Sequence, residues 1–241
     1  MSWKVKRAML LAAGRGMRMH PLTIDRPKAL VRVAGRPLID HALGKLAQAG
    51  VAQVVVNLHH HADLLETHLA ARRPPPAIIL SDERRALLET GGGTVKALPH
   101  LGDTPFFVVN VDVLWSDGAI DCFTRLASAW DGSGMDCLLL LVPRERARGH
   151  RGAGDFFLAG DGRLSRRGAA PAAPYIFSGL RLVHPRLFAG EKVAPFSFNR
   201  LFDKAQAAGR LFGLVHDGGW HDVGTPEMVG LAEAWLKEGQ S

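Results

Sequence analysis

Apolar residues in the first half of the chain fall into short continuous runs, separated by stretches whose apolar positions recur every three or four residues. Residues 7–13, 53–58, 77–81 and 106–111 are runs of the first kind. Continuous apolar runs of this length suit strands buried on both faces, as in a parallel sheet. Between them, 37–49 predicts an amphipathic helix that opens with Pro37 and closes at Gly50. Residues 62–71 and 92–98 predict two more helices. Strand–helix–strand alternation predicts an α/β fold with an open, mostly parallel sheet flanked by helices.

The second half is less regular. Helical patterns at 119–130, 198–208 and 226–237 accompany buried strands at 137–142 and 211–216. Segments 156–159, 163–165 and 173–183 are β-rich. We expect one domain over 1–241, a regular α/β part at about 1–115 followed by a β-rich elaboration at about 116–241.

Composition narrows the class. With 241 residues, 47% hydrophobic and 22% charged, the chain has an ordinary globular make-up. No stretch reaches the roughly 20 apolar residues of a membrane span. The apolar run after Lys4, Lys6 and Arg7 breaks at Gly14, too early for a signal peptide, so the expectation is a cytoplasmic protein with no membrane partner. Cys122 and Cys137 have neither metal-ligand nor disulfide spacing and are expected to be reduced core residues. A net charge of +7 raises nucleic-acid binding. The cations are scattered, however, and the densest groups (Arg144, Arg146, Arg148, Arg151; Arg166, Arg167) lack interleaved aromatics, so no nucleic-acid partner is expected. A basic balance equally suits an enzyme with phosphorylated substrates.

The chemistry concentrates in Leu10-Leu11-Ala12-Ala13-Gly14-Arg15-Gly16-Met17-Arg18-Met19-His20-Pro21-Leu22-Thr23, followed by Pro27-Lys28. This run begins where the first strand ends, the place where open α/β sheets bind ligands. Gly14 and Gly16 let backbone N–H groups approach an anion, and Arg18 and Lys28 can balance a triphosphate. The spacing fits neither the dinucleotide fingerprint, which needs a third glycine, nor a P-loop, which needs Gly-Lys-Ser/Thr.

From Leu11 to Lys28, and on through Val33-Ala34-Gly35-Arg36-Pro37-Leu38-Ile39, the chain resembles the sugar nucleotidyltransferase family, over nearly its whole length. The resemblance implies a Rossmann-like fold whose glycine loop (Leu11, Ala12, Ala13, Gly14, Arg15, Gly16) wraps an NTP, with Arg18 and Lys28 as the basic pair, about 1–115 as the nucleotide-binding part and about 116–241 as the sugar-binding part. It implies a reaction with a sugar 1-phosphate that gives an NDP-sugar and pyrophosphate. Leu88-Glu89-Thr90-Gly91-Gly92-Gly93 matches the loop that contacts the base and then the sugar, and its dense glycines suggest close ligand approach. Read without the resemblance, it is a capping loop for the next helix, with Thr as a good N-cap.

Asn110-Val111-Asp112 ends the most hydrophobic strand, where a bare carboxylate would be costly. Asp222, in Trp220-His221-Asp222-Val223-Gly224-Thr225-Pro226, reads on its own equally well as a helix cap. The family's metal aspartates match both positions, so Asp112 and Asp222 are the expected Mg2+ ligands, completed by phosphate oxygens and water. Asn110, Asp155, Ser178 and Gly179 fall on the sugar side. Many relatives carry a Glu-Lys pair where this chain has Arg166-Arg167, which leaves the sugar open.

Within the family, the Leu-Glu-Thr-Gly-Gly-Gly and Gly-Asp-Phe segments and the compact length resemble the short bacterial members that join N-acetylmuramate 1-phosphate to UTP in peptidoglycan recycling. Mannose 1-phosphate with GTP, and glucose 1-phosphate with UTP or dTTP, are the alternatives. A non-catalytic nucleotide-sugar-binding subunit is disfavoured by the full charged set of Arg18, Lys28, Asp112 and Asp222. His59-His60-His61 alternates direction along an extended stretch, so it is expected to end the second strand rather than bind a metal.

Overall fold

A computed structural model describes residues 4–73 and 75–238. The first half runs β1 (Arg7–Leu11), β2 (Arg32–Val33), β3 (Arg36–Pro37), α1 (Leu38–Gln48), β4 (Gln53–Leu58), α2 (Ala62–Ala70), β5 (Ala77–Asp82), α3 (Glu89–Leu101) and β6 (Phe106–Asn110). After it come β7 (Val113–Trp115), α4 (Cys122–Ala129), β8 (Cys137–Pro143), β9 (Phe156–Leu158), β10 (Leu164–Arg166) and β11 (Tyr175–Val183). The chain closes with α5 (Asn199–Ala207), β12 (Leu211–Val215), β13 (Trp220–Asp222) and α6 (Pro226–Glu238).

The central strands β6, β1, β4 and β5 lie side by side and parallel. Their continuous apolar runs are explained by burial on both faces. Ala8 and Leu10 join one core layer, with side chains of α1 and α2, while Met9 and Leu11 join the other, with α3 and α5. In chain order the sheet grows from β1 to β4 and β5, then returns to add β6 on the other side of β1. Such a reversal opens a crevice at the carboxyl ends of the two strands. It lies between Leu11 and Asn110, which are register partners.

Beyond β6 the sheet turns antiparallel. β11 pairs with β6 through Leu180↔Val109 and with β8 through Arg181↔Leu139. The β9–β10 hairpin is added beside Tyr175, and β12 runs parallel to β8. The described residues thus form a nine-stranded mixed sheet with a parallel centre. Its one irregularity near the crevice is a register shift in β11 between Phe177 and Arg181. There Gly179 takes φ +91, and a Cβ on it would press on Asn110 and Val113 at 3.2 Å.

Two details depart from the sequence expectations. The helix expected at 92–98 starts three residues earlier, at Glu89, so the glycine run lies inside it and Thr90 is a helical residue, not its N-cap. The start is fixed by a strap at 194–198: the Gly91 and Gly92 N–H groups donate to the Phe196 carbonyl, and Phe196 N–H donates to that of Leu88. The small ribbons β2–β3 and β7–β13 were not visible as apolar periodicity, because strands of two or three residues are too short to show one. Cys122 and Cys137 are both free and buried, and burial pushes the Cys137 thiol up to about 12. Among the described residues no helix is long and apolar enough to cross a membrane.

Candidate active site

A cleft of about 340 Å³ opens at the crevice. It is lined by Leu11, Ala12, Ala13 and Gly14 after β1, by Asn110, Val111 and Asp112 after β6, and by Lys28, Asn57, Leu87, Glu89, Thr90 and Ser197. The two loops are stitched together where Val111 N–H donates to the Leu11 carbonyl at 3.3 Å. Gly14 is exposed, and a Cβ built on it meets no chain atom within 4 Å. Gly16 is different: it has φ +64, and its Cβ would crowd Thr23 and Lys28 at 3.0–3.1 Å. The Thr23 hydroxyl donates back to the Gly16 carbonyl at 2.8 Å, closing the loop.

Behind the cleft lies a buried polar relay. Ala12 N–H donates to Asn57 Oδ1 at 2.7 Å, and Asn57 Nδ2 donates to Glu83 Oε1 at 2.8 Å. Glu83 Oε2 accepts the Leu88 N–H at 3.0 Å, so one carboxylate ties the glycine loop to the start of α3. Burial raises the Glu83 carboxyl above its ordinary value, opposed by these hydrogen bonds.

At the mouth, Lys28 Nζ sits 2.7 Å from Asp112 Oδ2, with the lysine 8% exposed. Asp222 reaches the same place from 110 residues away in sequence because β13 pairs with β7, in the register Asp222↔Val113. Val223 N–H then donates to the Asp112 carbonyl at 2.9 Å. Burial raises the Asp222 carboxyl, the neighbouring charge of Asp112 raises it further, and Lys28 and Arg18 oppose both. Two carboxylates held together at this cost form a pair that a divalent cation would relieve. No group of three or more His, Cys, Asp or Glu is arranged to hold a metal among the described residues. Two protein ligands, with phosphate and water supplying the rest, fit Mg2+ better than an all-protein cage.

Of the residues singled out in the sequence, Leu11, Ala12, Ala13, Gly14, Lys28, Glu89, Thr90, Asn110 and Asp112 converge on the cleft. Arg15 and Arg18 are exposed beside it. Gly91 does not line it, and the glycine run makes its close approaches to the chain itself. A Cβ on Gly91 would strike the Phe196 ring, one on Gly92 the Ala194 carbonyl, and one on Gly93 the Glu83 carboxylate. Asp155, Ser178 and Gly179 are not part of its lining either. Asp155 accepts the Phe177 N–H at 2.9 Å, and the Ser178 carbonyl accepts from Trp220 Nε1 at 2.8 Å, so both fix the β11 irregularity behind Asn110. Arg167 spends its donors on the Gly154 and Ala170 carbonyls, while Arg166 lies over Phe156. His59 bonds the Glu83 carbonyl and His61 that of Ile24, each with its own partner and none sharing a ligand.

Asn57, Leu87 and Ser197 are lining residues the sequence reading passed over. Asn57 carried a signal: an amide inside the apolar run of β4 must find hydrogen bonds when buried. Ser197 carried none, since the strap reaches the cleft only through the tertiary fold.

Open α/β sheets bind ligands in such a crevice, and the exposed Gly14 with Lys28 beside it suits the phosphates of a nucleotide. The chain is a nucleotidyltransferase belonging to the MobA-like NTP transferase family, whose domain model matches residues 8–213. It is 44% identical over 241 residues to an N-acetylmuramate alpha-1-phosphate uridylyltransferase of Caulobacter vibrioides, covering 99% of this chain and 100% of that one. A Neisseria meningitidis protein of the same name is 36% identical over 240 residues, covering 95% and 99%. Among solved structures, the inositol-1-phosphate CTP transferase from T. maritima superimposes with a TM-score of 0.77 at 18% identity, over 99% of each chain, a likeness of fold.

Proposed function

We propose that this enzyme transfers the uridylyl group of UTP to N-acetylmuramate 1-phosphate, releasing pyrophosphate, as a cytoplasmic step of peptidoglycan recycling. One observation carries the transfer chemistry: Asp112, at the strand-end cleft, is paired with Lys28 and has Asp222, remote in sequence and outside the cleft lining, as a close like-charged neighbour. The names of the two relatives support the choice of base and sugar.

The glycine loop holds the nucleotide, with Glu89 and Thr90 on the opposite wall. A phosphate oxygen of the sugar 1-phosphate attacks the α-phosphorus, and the bond to the pyrophosphate oxygen breaks as the new one forms. Both reactants are anionic, so the barrier is dominated by repulsion and misorientation. Lys28 and Arg18 stabilise the charge that develops on the phosphates, a task for fixed cations in a partly dry site. Mg2+, held by Asp112 and Asp222, would supply further charge neutralisation when bound. No chain residue needs to become covalently attached.

The test is a panel of UTP, GTP, dTTP and CTP crossed with N-acetylmuramate, N-acetylglucosamine, mannose and glucose 1-phosphates, scored by pyrophosphate release. Release should be greatest for UTP with N-acetylmuramate 1-phosphate and should stop when divalent ions are chelated. Preference for GTP with mannose 1-phosphate would overturn the substrate assignment, and no release with any pair would make the protein a binder.

A further inference from the structure

The side chain of Arg181 is 1% exposed in the middle of β11, where the flanking positions Leu180 and Leu182 are leucines. Its guanidinium lies over the Phe198 ring, 3.9 Å from the centroid, with Phe177 at 5.3 Å and Phe202 at 5.8 Å. No carboxylate pairs with it among the described residues, and Nε and Nη2 have no hydrogen-bond partner. Aromatic faces recover only part of the cost of burying a cation, so packing alone favours leucine or methionine here. Its one hydrogen bond runs from Nη1 to Asn110 Oδ1 at 3.3 Å.

An arginine can only donate, so this bond settles which way the Asn110 amide points. Oδ1 is turned towards Arg181, and the donor Nδ2 is the polar group left for the cleft that Asn110 lines. That end of the cleft therefore offers hydrogen-bond donors backed by an uncompensated positive charge in a low-dielectric core. Two residues along, by contrast, the charge of Lys28 is matched by Asp112.

We infer that Arg181 is a positioning and specificity-determining residue: acting through Asn110, it makes the cleft prefer a sugar 1-phosphate bearing an additional carboxylate over its neutral counterpart. This rests on the uridylyl-transfer reading and names the feature of the sugar that the site selects.

The experiment compares kcat/KM for N-acetylmuramate 1-phosphate and N-acetylglucosamine 1-phosphate, which differ by the carboxylate-bearing ether, in the wild type, Arg181→Met, Arg181→Lys and Asn110→Ala. Arg181→Met should lower the preference for the acidic sugar roughly tenfold, the scale of one charge-assisted contact, by raising its KM while leaving that for UTP unchanged. Arg181→Lys, which keeps the charge, should retain most of the preference. Combining Asn110→Ala with Arg181→Met should add little to either alone, since the two act as a unit. If Arg181→Met does not fold, Asn110→Asp sets an anion against Arg181 and should erase the preference in its place. A folded Arg181→Met with unchanged preference, or with both KM values raised equally, overturns the inference and leaves uridylyl transfer standing. A wild type that uses neither sugar with UTP overturns both.

Discussion

Gly14 in the loop after β1 and the glycine run that opens α3 are glycines for opposite reasons. At Gly14 the fold makes no steric demand, because a Cβ there meets open space. At Gly91, Gly92 and Gly93 the fold demands everything, because each missing Cβ is a place where the strap or Glu83 comes close. The space at Gly14 is left for something that is not part of the chain, whereas Gly16 in the same loop, whose Cβ would crowd Thr23 and Lys28, and the run in α3 are required by the chain itself. Glycine density is therefore a poor guide to ligand contact; what counts is whose atoms occupy the space. The charged mouth of the cleft belongs with the first region. Lys28 is buried against Asp112, and Asp222 accepts burial and the like charge of Asp112, an arrangement typical of functional sites.

The largest effect that separates the two regions should come from removing charge at the mouth while keeping shape. Lys28→Met and Asp112→Asn should each lower kcat by ~100-fold or more, the range for loss of a transition-state charge stabiliser, with the thermal midpoint little changed. Near-wild-type turnover in a folded Asp112→Asn protein would dissolve the distinction. Next in size is Gly92→Ala. Its methyl must displace the backbone at Ala194 and strain the bonds from Gly91 and Gly92 to the Phe196 carbonyl. Overpacking of this kind costs about 1–3 kcal/mol, read as a lower urea midpoint at unchanged slope.

Gly14→Ala should behave in the reverse way. Stability should stay within about 1 kcal/mol of wild type, or rise slightly, because alanine restricts the unfolded chain and meets no obstacle in the folded one. The KM for UTP should rise roughly tenfold as the methyl enters the space left for the nucleotide. Equal KM values for Gly14→Ala and wild type would mean that this glycine serves neither purpose.

Legibility in the sequence followed the same division. The parallel strands and the glycine loop could be read because their determinants are local: apolar runs from burial on both faces, and a motif at one strand end. Fold class and the approach of the first loop to Asp112 follow from those alone. Asp222 could be paired with Asp112 only through family resemblance, since the pairing depends on two three-residue strands brought together across the fold. Glu89 and Thr90 line the cleft, whereas the glycines beside them face the strap, about 100 residues downstream, and Glu83, neighbours that no local pattern announces. On the antiparallel side, Asp155 and Ser178 hold backbone behind Asn110, and Arg181 joins them from the middle of a hydrophobic strand. Nothing in the mostly apolar sequence of β11 says that its one arginine points at an asparagine 71 residues earlier.

The smallest predicted effect is a control for the scaffold. Asp136 stands just before β8 and takes ion pairs from Arg186 at 2.5 Å and Arg210 at 2.9 Å. Partial burial works to raise its carboxyl, but the two arginines outweigh that and hold it below the ordinary carboxylate value. A carboxyl depressed in the folded state stabilises the protein above its unfolded pKa, and that contribution disappears as pH falls through the folded value. Asp136→Asn should therefore cost about 1 kcal/mol or less at neutral pH, given partly exposed arginines, and the wild-type and variant stability curves should converge in acid. Turnover at the cleft should not change. If the gap between the curves instead widened on acidification, the arginines would not be the source of the shift, and a loss of kcat would tie this outer corner to the site.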